Sequence, residues 1–248
     1  MTLQDFFREN PRAALAFSGG VDSSYLLYAA LQCGADVTAY YVKSAFQPQF
    51  ELDDAVRLAE GLGARMKVLP VDVLAAPEVT ANPADRCYHC KKRIFGAILS
   101  AAAADGYALV LDGTNASDAE GDRPGMRALR EMQVASPLRA AGLTKAEIRR
   151  LSREAGLFTW DKPAYACLAT RVPAGEEITA EKLSATEAAE DHLFSLGFTD
   201  FRVRRFGGAA RLQVRPEQMP LLLEKREDVL RELKKHYPAV LLDLEART

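Results

Sequence analysis

Along the first half of the chain, strand-like apolar runs alternate with helix-like stretches of period near 3.6. Residues 13–17 (Ala-Ala-Leu-Ala-Phe) are apolar without interruption, as expected of a strand buried on both faces. The run ends in Gly19 and Gly20, and residues 22–32 then read as a helix reaching Gly34, which suits a C-cap. Residues 37–42 read as a second strand, 51–62 as a helix closed by Gly61 and Gly63, and 66–71 as a third strand. Residues 74–85 contain Pro77 and Pro83 and read as a loop. A helix over 89–104, rich in Ala, Ile and Leu, leads to a fourth strand at 109–111, which enters Asp112 and Gly113. Strands alternating with helices predict an α/β fold: a parallel sheet with helices on both faces. Ligands bind such sheets beyond the carboxyl ends of the strands, near Ser18, Lys43 and Gly113.

The second half has a different rhythm. A helix over 145–155 opens with a capping box, Thr144 with Glu147. Residues 156–179 are irregular, and the domain boundary is placed there. This divides the chain into a domain at 1–160, a loop at 161–179 and a small C-terminal α+β domain at 180–248. The last part reads as a helix at 180–196, strands at 201–206 and 211–215, a helix at 221–236 and a strand at 240–244.

Composition narrows the classes. In 248 residues, 48% apolar and 27% charged content is that of a globular protein, and the formal net charge of −2 argues against an extended nucleic-acid surface. No apolar run is long enough to span a bilayer, and residues 1–11 lack a secretory leader pattern. A cytoplasmic protein without membrane or nucleic-acid partners is expected. Four cysteines in such a chain point to packing, metal binding or catalysis rather than to a disulfide scaffold.

The chemistry begins at Ser18-Gly19-Gly20-Val21-Asp22-Ser23. The glycines allow a sharp turn after a strand, and Ser23 and Ser24 open the next helix, whose amino end suits a phosphate. No lysine follows the glycines, so this is not a Walker loop. Two roles are open for Asp22, proximity to magnesium or capping of the helix. The loop resembles that of the PP-loop ATP pyrophosphatases, a group including GMP synthetase, NAD synthetase and tRNA thiolases. The resemblance implies the PP-loop (adenine nucleotide α-hydrolase-like) fold and an ATP split into AMP and pyrophosphate, with Mg²⁺ helping to hold the departing charge.

Two further segments carry cysteines. Cys87 and Cys90 lie in Arg86-Cys87-Tyr88-His89-Cys90-Lys91, where spacing of three at a helix start puts both thiols on one side. The helix end and the neighbours Arg86, Lys91 and Lys92 favour thiolates there. Cys167 stands in the irregular stretch around Pro163 and Pro173, whereas Cys33 closes an amphipathic helix and reads as packing. Asn82-Pro83 with Arg86-Cys87, the Asp112-to-Asp118 segment followed by Asp122-Arg123-Pro124-Gly125, and the Trp160-to-Pro173 segment sharpen the resemblance. Together with the loop, from about Phe17 to Val214, they resemble the ATP-dependent sacrificial sulfur transferases that build the nickel-pincer nucleotide cofactor of lactate racemase.

That resemblance implies the following. ATP would be held by Ser18, Gly19, Gly20, Asp22, Ser23, Ser24, Lys43, Gly113, Asn115 and Asp118. A carboxylate of a pyridinium-3,5-biscarboxylic acid mononucleotide would become an acyl adenylate, and sulfur would then displace AMP. Arg86, Arg123, Arg171, Arg202 and Arg204 are the candidate substrate ligands; Arg202 and Arg204 alternate on a strand and so share a face. The sulfur source has two forms in the family. Either Cys167 gives up its own sulfur, or Cys87, Cys90 and Cys167 hold a [4Fe-4S] cluster with one iron open. The three cysteines favour the cluster, with structural zinc a more distant reading. Glu190 matches an acidic position associated with metal, and Gln213 stands where the family pattern has Glu. The family also implies a homo-oligomer. Two rival readings remain, a tRNA thiolase and a non-enzymatic nucleotide sensor.

Overall fold

The computed structural model describes residues 1–118 and 124–247. Packing divides the chain into two units, Met1–Val73 with Asp85–Lys162, and Leu74–Ala84 with Pro163–Thr248.

The first unit opens with a helix that the apolar pattern did not announce, α1 (Leu3–Glu9), fixed by a capping box between Thr2 and Asp5. There follow β1 (Arg12–Ala16), α2 (Val21–Gln32), β2 (Asp36–Lys43), α3 (Gln49–Gly61) and β3 (Arg65–Pro70). The short α4 (Pro77–Thr80) belongs to the second unit. The first unit resumes with α5 (Arg86–Ala104), β4 (Val110–Leu111), α6 (Pro124–Glu131), α7 (Pro137–Ala140) and α8 (Lys145–Glu154). Its four strands form a parallel sheet in the order β3-β2-β1-β4, with Ala14 paired to Thr38 on one side and Val110 on the other.

The apolar run at β1 explains the layers. Ala13, Leu15 and Phe17 pack with Leu26 and Leu27 of α2 and Ile148 of α8. Ala14 packs through the opposite face with Tyr40 and with Ile98 and Ala102 of α5. Helices therefore cover both faces, the α/β PP-loop arrangement expected. The helix expected from residue 89 begins three residues earlier, at Arg86, with Asp85 as its cap residue. The shift sets Cys87 inside the first turn. Helices α6 and α7 were not anticipated; each begins at a proline, Pro124 and Pro137, the residue suited to a first helical position.

The second unit takes Leu74–Ala84, which the pattern alone left as a loop of the first half. Asn82 is the reason. It is buried in the left-handed region at φ 54°, and its side-chain amide donates to Pro173 O at 2.7 Å and Glu176 O at 3.0 Å. Gly175 N returns a bond to Asn82 O at 2.9 Å. The remaining elements are α9 (Ala180–Ser195), β5 (Arg202–Phe206), β6 (Ala209–Gln213), α10 (Met219–Glu224), α11 (Arg226–Leu233) and β7 (Val240–Leu242). β5 and β6 form a hairpin across Gly207 and Gly208, both at positive φ as a two-residue primed turn requires. β6 pairs parallel with β7. The helix expected at 221–236 is broken at Lys225 into α10 and α11, and the last strand is shorter than expected. Leu193, Phe198, Phe201, Val203, Leu212, Leu222, Val229 and Leu233 fill this unit's core. Among the described residues no helix is long and apolar enough to cross a membrane.

Candidate nucleotide site and cysteine segment

In the first unit the turn after β1 is shaped by close approach. Gly19 lies at φ 71°, and a Cβ there would stand 3.0 Å from the Ala55 side chain of α3. Gly113, after β4, is tighter: a Cβ would meet Ser23 N at 2.9 Å and the Asp22 Cβ at 3.3 Å. Only glycine lets the β4 loop close against the amino end of α2. Ser23 Oγ accepts from Ser18 N at 3.3 Å and donates to Gly20 O at 3.2 Å, which holds the turn in shape. The result is a cleft of about 230 Å³ lined by Ala16, Ser18, Asp22, Ser23, Phe95, Asp112, Gly113, Thr114 and Asp118.

Asn115 organises the acidic edge of this cleft. Its side-chain amide donates to Asp22 Oδ1 at 3.2 Å, and its own N–H donates to Asp118 Oδ2 at 2.9 Å. Arg139 holds Asp118 O at 2.8 Å from behind. Asp22 makes no capping bond; the cap position is Gly20. Its second oxygen is paired with Lys145, the first residue of α8. Of the two roles open for Asp22, the geometry leaves a carboxylate in the cleft with Asn115 and Lys145 as partners. Asp112, buried, accepts from Thr114 N and from Ser136 Oγ at 2.7 Å and so fixes the β4 loop.

Several expected ligands sit elsewhere. Ser24 is fully buried with an unpartnered hydroxyl and does not line the cleft. The Lys43 ammonium donates to Gln47 O at 2.6 Å within the turn after β2. Arg86 is buried at the start of α5. Arg123 and Asp122 lie outside the described residues. Two lysines were missed. Lys145 is separated from Asp22 by 123 positions, and its local sequence marks it only as the residue after the Thr144 cap of its helix. Lys91 lies one turn before the cleft residue Phe95 on α5, with its stem against Gly125. Burial holds its ammonium below the ordinary lysine range, while the charges of Asp112, Cys87, Asp118 and Cys90 oppose that shift.

None of the four cysteines is in a disulfide. Cys87 is exposed and Cys90 half-buried on the first turns of α5. Beside them Tyr88 donates to Glu131 at 2.7 Å. Within neither unit do three His, Cys, Asp or Glu side chains converge as a metal site among the described residues.

In the second unit Cys167 is half-buried and leads a 3₁₀ turn, Leu168–Arg171. Arg171, expected as a substrate ligand, is almost fully buried instead. It forks onto Glu190 (2.8 and 3.1 Å) and holds Ala166 O at 3.0 Å and Thr170 Oγ1 at 2.8 Å. Glu190, expected near metal, already accepts from Arg171, from the Tyr165 hydroxyl and from Val203 N at 2.9 Å. These two residues form an internal strut: the buried Glu190 carboxylate accepts four hydrogen bonds, two of them from the Arg171 guanidinium. Burial, and then the Glu190 charge, push the Tyr165 hydroxyl far up.

Arg202 and Arg204 do face one side, toward the Cys167 segment. Arg202 is buried and donates to Ala164 O at 2.5 Å; Arg204, half-buried, donates to Thr170 O at 2.9 Å and to Gln213 Oε1 at 2.7 Å. Gln213 in turn donates to Asp243 at 2.9 Å. Burial, then the neighbouring charges of Arg171 and Arg247, bring the Arg202 guanidinium down to about 10. Arg204 moves the same way, by burial and then by Arg171, Arg211 and Arg247.

No protein-family model matches the sequence. The chain is similar to an uncharacterized protein of Synechocystis sp., 40% identical over 88% of this chain and 81% of that protein. It is similar to the pyridinium-3,5-bisthiocarboxylic acid mononucleotide synthase of Lactiplantibacillus plantarum, 36% identical over 86% of this chain and 78% of that enzyme. The tRNA-specific 2-thiouridylase of Thermotoga neapolitana is 25% identical over 61% of this chain and 54% of its own length.

Proposed function

The chain belongs to the pyridinium-3,5-bisthiocarboxylic acid mononucleotide synthase family, and on that premise we propose that it activates a carboxylate of pyridinium-3,5-biscarboxylic acid mononucleotide with ATP and replaces an oxygen by sulfur. The observation that carries this reading is the closing of Gly113 onto the amino end of α2, which gathers Asp22, Ser23, Thr114 and Asp118 around one cleft.

In the first step a carboxylate oxygen attacks the α-phosphorus and the bond to the β-phosphate bridge oxygen breaks. Pyrophosphate leaves with its charge on the amides of the Gly20-to-Ser23 turn. Asp22 and Asp118, both oriented by Asn115, are the carboxylates that would hold Mg²⁺; the cation ordinarily takes one or two carboxylates beside phosphate oxygens and water, so the pair fits. Lys145 gives up Asp22 in that state, and its ammonium passes to the phosphates. The product is a mixed anhydride, open to attack where the carboxylate was not.

In the second step a sulfur nucleophile attacks the acyl carbon and AMP departs. Where Cys167 is the donor, its Sγ forms the acyl bond, a proton leaves the Cys167 Cα, and the Cβ–Sγ bond breaks. This leaves thiocarboxylate on the product and dehydroalanine in the chain. Cys87 and Cys90, three residues apart on α5, and Cys167 are the thiolates that would hold a [4Fe-4S] cluster. A cluster so held would supply sulfide at its open iron. We favour that source. The substrate phosphate is assigned to Arg204 and Arg202, guanidinium forks on β5. The reaction is assigned to the cytoplasm, where ATP is at hand and thiols stay reduced.

The test is anaerobic incubation with ATP, Mg²⁺ and the pyridinium biscarboxylate mononucleotide. Pyrophosphate and a thiocarboxylate product by mass spectrometry are expected, with iron bound to the chain. Pyrophosphate release driven by tRNA and not by the pyridinium nucleotide would overturn the substrate. A colourless chain that turns over once and loses sulfur from Cys167 would overturn the cluster alone.

A further inference from the structure

We propose that Arg204, with Arg202, is a positioning residue for Cys167: one guanidinium holds the substrate's anionic group and the Cys167 segment at the same time. Three successive residues of β5 grip that segment. Arg202 takes Ala164 O, Val203 N shares Glu190 with Tyr165 and Arg171, and Arg204 takes Thr170 O. Arg171 adds Ala166 O and the Thr170 hydroxyl from inside. The segment is therefore tied three residues before and three residues after Cys167. Of the three residues between the ties at Ala166 and Thr170, Leu168 and Ala169 are fully buried, and Cys167 is the one whose side chain reaches the surface.

The charges around this grip are not balanced. Arg171 is paired with Glu190, Arg202 and Arg247 with Asp200, and Arg211 with Asp243. Arg204 has no carboxylate partner among the described residues, and the like charges of Arg171, Arg211 and Arg247 act on it. Its Nε and Nη1 each hold one bond, to Gln213 and to Thr170. A guanidinium carries five N–H donors in one plane, so the donors left over suit a phosphate without release of Thr170 O. An anion there relieves the repulsion among the arginines and tightens the grip. Cys167 is then held at a fixed place relative to the docked nucleotide, which sulfur transfer to an activated carboxyl needs whether Cys167 gives the sulfur or helps to hold the cluster that does. The proposal rests on the reading that a phosphorylated nucleotide docks at Arg204.

The experiment is site-resolved alkylation of the full, reduced chain, read by peptide mass spectrometry, with Cys33 as internal reference. Arg204→Ala is expected to raise the Cys167 alkylation rate about tenfold, the worth of one charge-assisted hydrogen bond, and to leave Cys33 unchanged. Arg204→Lys, which keeps charge without the planar fork, is expected to stay fast at Cys167 while retaining part of the affinity for nicotinamide mononucleotide, the probe used. Nicotinamide mononucleotide should slow Cys167 in the native chain and not in Arg204→Ala. Equal Cys167 rates in native, Ala and Lys chains would overturn the positioning role, even where nucleotide affinity falls. Unchanged nucleotide affinity in Arg204→Ala with a fast Cys167 would instead overturn the phosphate reading and leave the positioning in place.

Discussion

Around the nucleotide cleft the tie points are mostly main-chain atoms: the Gly20 carbonyl, the amides of Ser18, Thr114 and Asn115, and two glycines that admit close approach. Around Cys167 they are charged side chains, with Arg171, Arg202 and Arg204 on carbonyl oxygens and Glu190 beneath. The two regions teach different things about robustness. A main-chain cradle fails when space is lost. A buried ionic strut fails when one partner is lost, because the survivor is left charged and without water.

Loss of space has the larger expected effect. Gly113→Ala puts a Cβ 2.9 Å from Ser23 N, so β4's loop and α2 must move apart. Substrate-dependent pyrophosphate release should fall about a hundredfold, the cost of roughly an ångström of misplacement, with far-ultraviolet dichroism unchanged. Near-native release would break the account of the cleft. Glu190→Ala leaves Arg171 unpaired in the second unit's interior and should cost roughly 3–5 kcal/mol in urea unfolding, with Glu190→Gln milder. Equal stability of Glu190→Ala and the native chain would show that the strut is not one.

Smaller effects sharpen the contrast within the cleft. Lys145→Met removes the cation paired with Asp22, and pyrophosphate release should fall about tenfold while Lys145→Arg keeps most of it. No loss in the Met variant would make the pair a resting contact only. Lys91 gives the mildest signal, in pH. Burial lowers its pKa, so its charge is lost as pH rises through a value below the ordinary lysine range. ATP affinity should weaken over that interval in the native chain and stay flat in Lys91→Arg. Superimposable profiles would remove Lys91 from the site.

The same contrast explains what the amino-acid sequence disclosed. The run at 13–17, the glycines after it and the strand–helix alternation are local patterns, and each forces its own geometry through periodicity or backbone freedom. They placed the parallel sheet and the loop that resembles the PP-loop enzymes. The contacts that escaped are long in sequence: Asn82 with Pro173 across 91 positions, Asp22 with Lys145 across 123, and Glu190 with Tyr165 across 25. No spacing rule marks a residue for such a partner, so Leu74–Ala84 passed as a loop of the first half and the bonds of Glu190 to Arg171 and Tyr165 went unseen. Arg202 and Arg204 were legible as a pair by strand alternation, and their hold on the carbonyls of Ala164 and Thr170 was not.

The most direct measurement follows oxygen. If a substrate carboxylate attacks the α-phosphorus, a carboxylate labelled with ¹⁸O must pass one labelled oxygen to AMP when sulfur replaces it. The account predicts AMP carrying one ¹⁸O, unlabelled pyrophosphate and a thiocarboxylate product. Unlabelled AMP, or label found in phosphate beside ADP, would contradict it.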